Sequence, residues 1–219
     1  MANVNKIDQY NKGTVFPDSY KETYIATKHI SDIKLKIPSD IFAKFKQKIE
    51  EKGLYFGDDS VLRNIIAGII KGNIILQGPP GTGKTTLAKI ICDVFEVAYT
   101  EATANSDWTT YDSIGGLQPS ANDEGHEVIE GKNGYVVSSI LKCCDLIVKN
   151  ENDNGTLQGN WLILDELNRC EIDKVFGDLF TALGSDASET ERVINLWYQK
   201  DENKKMVYIP NRYRIVGAM

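Results

Sequence analysis

The stretch Asn73–Ile90, NIILQGPPGTGKTTLAKI, limits the fold more than any other part of the chain. A short apolar run is followed by Gly78, Pro79, Pro80, Gly81, Thr82, Gly83, Lys84, Thr85 and Thr86, and then by Leu87, Ile90, Ile91, Val94 and Phe95 on one helical face. The order is strand, glycine-rich turn, helix. Its spacing is G-x-x-x-x-G-K-[ST], in which glycines let several backbone N–H groups converge at a helix N-terminus, where the dipole favours an anion. The nine residues from Gly78 to Thr86 are therefore the expected cradle of a nucleotide. Lys84 is assigned to its β- and γ-phosphates and Thr85 to a Mg²⁺ ion.

Strand and helix patterns alternate through the rest of the chain, which requires a parallel sheet covered by helices. Helices are expected from Ser39, as N-cap, to Gly53, from about Asp59 to Lys71, from Thr85 to Glu96, from Ser138 to about Lys149 and from Lys174 to Leu183. The last of these should bury Val175, Phe176, Leu179, Phe180 and Leu183. EVAYTEA and YRIVGAM read as strands, and the fully apolar WLILDE reads as a buried central one. NSDWTTYDSIGGLQPS reads as loop, and HEVIEGKNGYVV as a small hairpin around Gly131 to Gly134. RVINLWYQKDENKKMVYIP reads as two strands joined by a solvated, charged turn. Residues 1–37 read as an arm, and residues 38–219 as one α/β domain.

The sequence has 219 residues and a net charge of -6, enough to bury a core and too acidic for a generally basic nucleic-acid surface. Cys92, Cys143, Cys144 and Cys170 show no metal-site spacing and suit reduced thiols in a cytoplasmic protein. No stretch approaches the length of a secretory leader core or a membrane span, so no membrane partner is expected.

Asp165 and Glu166 end the apolar strand some eighty residues after the phosphate loop. A triphosphate site needs one carboxylate at that sheet edge to hold Mg²⁺ and a second to orient or deprotonate water. Asp165 is assigned to the metal and Glu166 to the base. Trp108, between a strand and a helix, is expected in the core rather than in a pore.

GPPGTGKT, WLILDELNR and YRIVGAM, in this order, resemble the AAA+ ATPases and, within them, the dynein-related and MoxR-like branch that includes the McrB restriction NTPases. DELNR, Asp165 to Arg169, is the most telling segment, and the expected hairpins near 127–137 and 192–209 resemble insertions of that branch. The resemblance spans about residues 40–219. It implies a P-loop NTPase core, a three-layer α/β/α sandwich about a parallel sheet, that hydrolyses ATP with Mg²⁺ to remodel a partner. It also implies a hexameric ring with Asn168 and Arg169 near the subunit junction. On the residues alone, Asn168 could instead cap the following helix, and Arg169 could pair with Glu171 or Asp173.

The chain ends at Met219, just before the family's sensor residue, its arginine finger and its C-terminal lid, so a fragment with weak or no hydrolysis is expected, its phosphate-loop strand left at a sheet edge. ATP is the expected nucleotide, with GTP as the McrB-like alternative; Tyr55, Phe56 and Gly57 occupy the linker where relatives hold the base. A motor subunit of a DNA-restriction system, with a nuclease partner, and a non-hydrolysing nucleotide-binding scaffold are the competing functions.

Overall fold

The structure is a computed structural model that describes residues 30–121, 125–151, 155–184 and 191–219. Helices α1 (Ile41–Glu51) and α2 (Asp59–Lys71) lead into strand β1 (Ile74–Leu76), and α3 (Lys84–Val94) returns the chain to β2 (Ala98–Thr103). One helical turn, α4 (Thr110–Ser113), opens the hairpin β3 (Gly115–Ala121) and β4 (Glu127–Asn133). Helix α5 (Tyr135–Glu151) precedes β5 (Asn160–Asp165); α6 (Ile172–Phe176) and α7 (Phe180–Leu183) precede the hairpin β6 (Val193–Asn195) and β7 (Met206–Tyr208). Strand β8 (Ile215–Ala218) follows.

β1, β8, β5 and β2 form the central sheet in that order, with every neighbouring pair parallel. Its two faces follow from the period-2 alternation of β5. Trp161 and Ile163 pack with Phe45, Leu62, Ile90 and Phe95 from α1 to α3, whereas Leu162 and Leu164 pack with Ile140, Ile147 and Val175 from α5 and α6. A strand buried on both faces must be apolar throughout, as WLIL is. The result is the three-layer α/β/α sandwich.

α2 starts at Asp58, whose side chain accepts from the Ser60 N–H, and it ends at Gly72. Its last carbonyls have an unusual partner. Arg214, just before β8, donates through Nε to the Ile69 carbonyl at 2.7 Å and through Nη2 to the Ile70 carbonyl at 3.2 Å, capping the helix with a buried cation. The cap of α1 is Asp40 rather than Ser39, with no side-chain hydrogen bond.

The first hairpin differs from the expected one. Gly115–Ala121, expected as loop as far as Ser120, is a strand, and the reversal lies between Ala121 and Glu127 instead of at Gly131 to Gly134. Gly131 and Gly134 serve close approach, not a turn. A Cβ on Gly131 would sit 2.8 Å from the Tyr198 ring, and one on Gly134 would sit 2.5 Å from the Asp112 carbonyl oxygen. The expected helix Lys174–Leu183 is broken by a 3₁₀ turn at Gly177–Leu179. Each 3₁₀ residue rotates roughly 20° further than an α residue. Phe180 consequently swings off the buried face and is 50% exposed. The second hairpin forms as expected, and Trp108 is buried, stacked on Tyr135 at 5.3 Å.

Of the stretch expected as an arm, residues 1–29 lie outside the described residues, while residues 30–37 form a strap on the domain. Ile30 is 2% exposed within the core. The Lys36 backbone exchanges two hydrogen bonds with the Gln158 amide, both at 2.8 Å. Arg212, 1% exposed, donates through Nε to the Lys34 carbonyl, through Nη1 to Asn150 and through Nη2 to Glu151.

Burial raises the Glu151 carboxyl, but hydrogen bonds from Lys36 and Arg212 outweigh it and hold the group below the ordinary 4.5. A depressed carboxyl stabilises the fold above its unfolded pKa and loses that contribution as pH falls through the folded value. Wild-type thermal midpoints are therefore expected to drop below about pH 4.5, and this drop should be shallower in Glu151→Gln, measured by thermal scans from pH 7 to 3. Identical slopes would remove Glu151 from the acid response.

All four cysteines are buried free thiols, and burial pushes Cys143 up to about 12. Among the described residues no helix is long and apolar enough to cross a membrane.

Candidate functional site

β1 delivers the phosphate loop to the C-terminal edge of the sheet, and β5 delivers Asp165 and Glu166 to the same edge. β8 lies between them: the Met219 N–H donates to the Leu76 carbonyl at 3.0 Å, and the Gly78 N–H donates to the Met219 carbonyl at 3.3 Å. The topology thus brings together residues about eighty positions apart.

The loop owes its shape to two glycines in the left-handed region, Gly81 with φ 78° and Gly83 with φ 81°. Gly83 is also the N-cap of α3, and a Cβ there would meet the Leu54 side chain at 2.6 Å. The Thr82 hydroxyl donates to the Pro79 carbonyl at 2.9 Å and closes the loop. Lys84 folds over it, donating through Nζ to the carbonyls of Gly78 at 3.0 Å and Pro79 at 2.8 Å. Its ammonium is held where the loop curves.

The Thr85 hydroxyl donates to Asp165 Oδ2 at 2.8 Å, and the Glu166 N–H donates to Asp165 Oδ1 at 2.9 Å. Asp165 is thereby oriented by both halves of the site. Glu166 itself has φ 53° and ψ 38°, a costly left-handed geometry for a non-glycine residue, found where structure over-determines it. That turn points its carboxylate towards Arg169, whose Nε lies 3.1 Å from Oε2. Arg169 thus pairs with Glu166, not with Glu171 or Asp173, and the next helix takes Glu171 as N-cap, not Asn168.

Gly78, Lys84, Thr85, Asp165, Glu166 and Asn168 line a cleft of about 530 Å³, while Pro79, Thr82 and Arg169 are not among its walls. Pro80, Gly81, Gly83 and Thr86 complete the loop side. Tyr55, Phe56 and Gly57 are not among its walls, and Tyr55 is 90% exposed. From that linker it is Leu54 that reaches the loop, a contact that only the tight fit at Gly83 reveals. Met219 also borders the cleft through β8 pairing, which no local pattern could show.

No cluster of three or more His, Cys, Asp or Glu side chains that could hold a metal occurs among the described residues. One carboxylate with a neighbouring threonine hydroxyl is nevertheless what Mg²⁺ uses when substrate phosphates and water supply its other ligands. Asp165 and Thr85 fit that requirement.

The dynein-related subfamily of AAA domains matches residues 73–219. The chain belongs to this family. Over 155 residues it is 27% identical to the type IV methyl-directed restriction enzyme EcoKMcrB subunit of Escherichia coli (strain K12), covering 68% of this chain and 30% of that protein. An uncharacterized protein of Staphylococcus epidermidis is 28% identical over 96 residues, 44% of this chain and 30% of that one. The chain thus spans 30% of the length of each of these curated relatives. A crystal structure described as a candidate ATPase from Cytophaga hutchinsonii overlays with a TM-score of 0.47 at 19% identity, covering 82% of this chain and 44% of that one. The AAA domain carries the nucleotide-dependent character of the family, and its phosphate loop and Asp165–Glu166 pair fall inside the matched residues.

Proposed function

We propose that this domain binds a Mg²⁺–nucleoside triphosphate, ATP in the first instance, and hydrolyses it to drive remodelling of a partner. The observation that carries the reading is the 2.8 Å hydrogen bond from Thr85 to Asp165, which joins the phosphate loop to the carboxylate pair. Loop N–H groups and Lys84 bind and orient the phosphates, and the α3 N-terminus adds its dipole. Asp165 and Thr85 would hold Mg²⁺, which when bound neutralises developing phosphate charge. Glu166 accepts the proton of the attacking water at a carboxylate oxygen once that oxygen is released from Arg169. Asn168 and Arg169, both exposed beside the cleft, suit a neighbouring subunit of a ring, where an arginine could stabilise phosphate charge in trans. The site and the reduced thiols suit a cytoplasmic protein.

The 27% match to the McrB subunit favours a second reading, a GTP- or ATP-driven motor that works with DNA and a nuclease partner. Thermal unfolding with Mg·ATP, with Mg·GTP and without nucleotide separates the two. A ligand at 100 times its Kd adds about 2.7 kcal/mol, which for a domain this size is roughly 5–10 °C. ATP is expected to raise the midpoint by that amount, and Lys84→Ala to abolish the rise. A rise with GTP alone would put the motor reading first, and no rise with either nucleotide would overturn nucleotide binding by this chain.

A further inference from the structure

The phosphate cleft lies at the C-terminal ends of the parallel strands. A second cavity, of about 320 Å³, opens at their N-terminal ends, roughly 10–15 Å away along strands of this length. It is bounded by the end of α2, the start of β1, the strap and the residues that enter β8. Four of its walls are cationic, Lys34, Lys71, Arg192 and Arg214, and no described wall residue carries a carboxylate. In a chain with net charge -6 this is a marked local reversal.

Arg214 is occupied by carbonyls, those of Ile69, Ile70, Asn211 and Tyr213. Arg192 is not so placed. Its Nη2 donates to the Pro210 carbonyl at 3.2 Å, but its Nε is buried with no hydrogen-bond partner, alone in this among the buried side-chain nitrogens and oxygens of the described residues. A buried N–H of a charged group left unmade costs more than a neutral one, and two guanidiniums in one cavity also repel. Burial draws both arginines below their ordinary pKa, and the charge of Arg192 lowers Arg214 further, to about 10. An unpaired donor beside cationic groups, with no carboxylate among the described walls, is what an anion would relieve.

We propose that this cavity is a second anion site, separate from the nucleotide cleft, that takes a phosphate-type group through Arg192, with Arg214 and Lys71 supplying charge. The volume is ample for a phosphate group. The group could be a free phosphate or the phosphate of a nucleic acid, since both present the same tetrahedral oxygens. The inference does not depend on the reading of the cleft.

Inorganic phosphate is the first probe. Because the phosphate loop also attracts it, the titration uses the Lys84→Ala chain, followed by calorimetry and by thermal midpoint. Saturable binding is expected, and Arg192→Gln in the same background should weaken it about tenfold or more, the loss of one charged hydrogen bond. The ligand-free midpoint of that double variant should equal or exceed that of Lys84→Ala, because an unneutralised buried charge has gone. Lys71→Gln, at the exposed rim, serves as a variant that leaves the interior untouched and should weaken binding by roughly threefold. Short oligonucleotides with and without a 5′-phosphate identify the source. Displacement of phosphate by either points to nucleic acid, no displacement points to a free anion, and both outcomes uphold the site. Absence of saturable binding in Lys84→Ala, or affinities within twofold with and without Arg192, would overturn it.

Discussion

Replacing Glu166 by glutamine is expected to lower nucleotide turnover by about 10²–10⁴-fold while leaving nucleotide affinity nearly unchanged. The amide keeps the shape of the carboxylate and the same backbone at φ 53°, so the strain of that turn is common to both proteins. Asp165 keeps its bonds from Thr85 and from the residue 166 N–H, so the pair proposed to hold Mg²⁺ is undisturbed. What disappears is the proton acceptor that the proposed mechanism assigns to Glu166. The ion pair with Arg169 is lost as well, but its side chains are 61% and 43% exposed, and such pairs contribute about 0–1 kcal/mol. Phosphate release at saturating Mg·ATP gives the turnover, and the nucleotide-induced rise in midpoint controls for binding. Turnover within threefold of a wild-type rate that stands above background would show that Glu166 is not the base, and a lost thermal rise would show that it acts in binding.

The phosphate loop and the Asp165–Glu166 pair were legible because each is a local pattern that carries its chemistry with it. The central sheet was legible for a related reason. WLILD has the pattern of a strand buried on both faces, and the structure places it between β8 and β2 with its side chains alternating into two cores. What was not legible depends on contacts between distant segments. Gly131 and Gly134 look like turn residues in sequence, yet they are small because Tyr198 and Asp112 crowd them. Phe180 fits a helical period that a single 3₁₀ turn at Gly177 disrupts. Local sequence gives Arg212 and Arg214 no role beyond that of charges beside a strand. Instead one ties the strap to α5 and the other caps α2. Their partners are mostly carbonyl groups, which no residue pattern announces.

Those carbonyl contacts set the second large effect. Trp161→Ala is expected to destabilise the domain by about 3–5 kcal/mol. Trp161 is fully buried on β5, packs on Phe95 at 5.2 Å, and donates its indole N–H to the Arg212 carbonyl at 2.6 Å. Truncation opens a cavity in the layer beneath α1 to α3 and orphans a buried acceptor on the residue that anchors the strap. At roughly 2–4 °C per kcal/mol the midpoint should fall by about 6–20 °C. Trp161→Phe helps to separate the two costs, since it keeps most of the ring volume while losing the donor and the smaller ring of the indole, for about 1–3 kcal/mol. If the two variants lose equally, the hydrogen bond to Arg212 rather than the packing carries the stability of this strand. If Trp161→Phe is neutral, the packing carries it, and the strap is held by Arg212 through Lys34 and Glu151 without help from the indole.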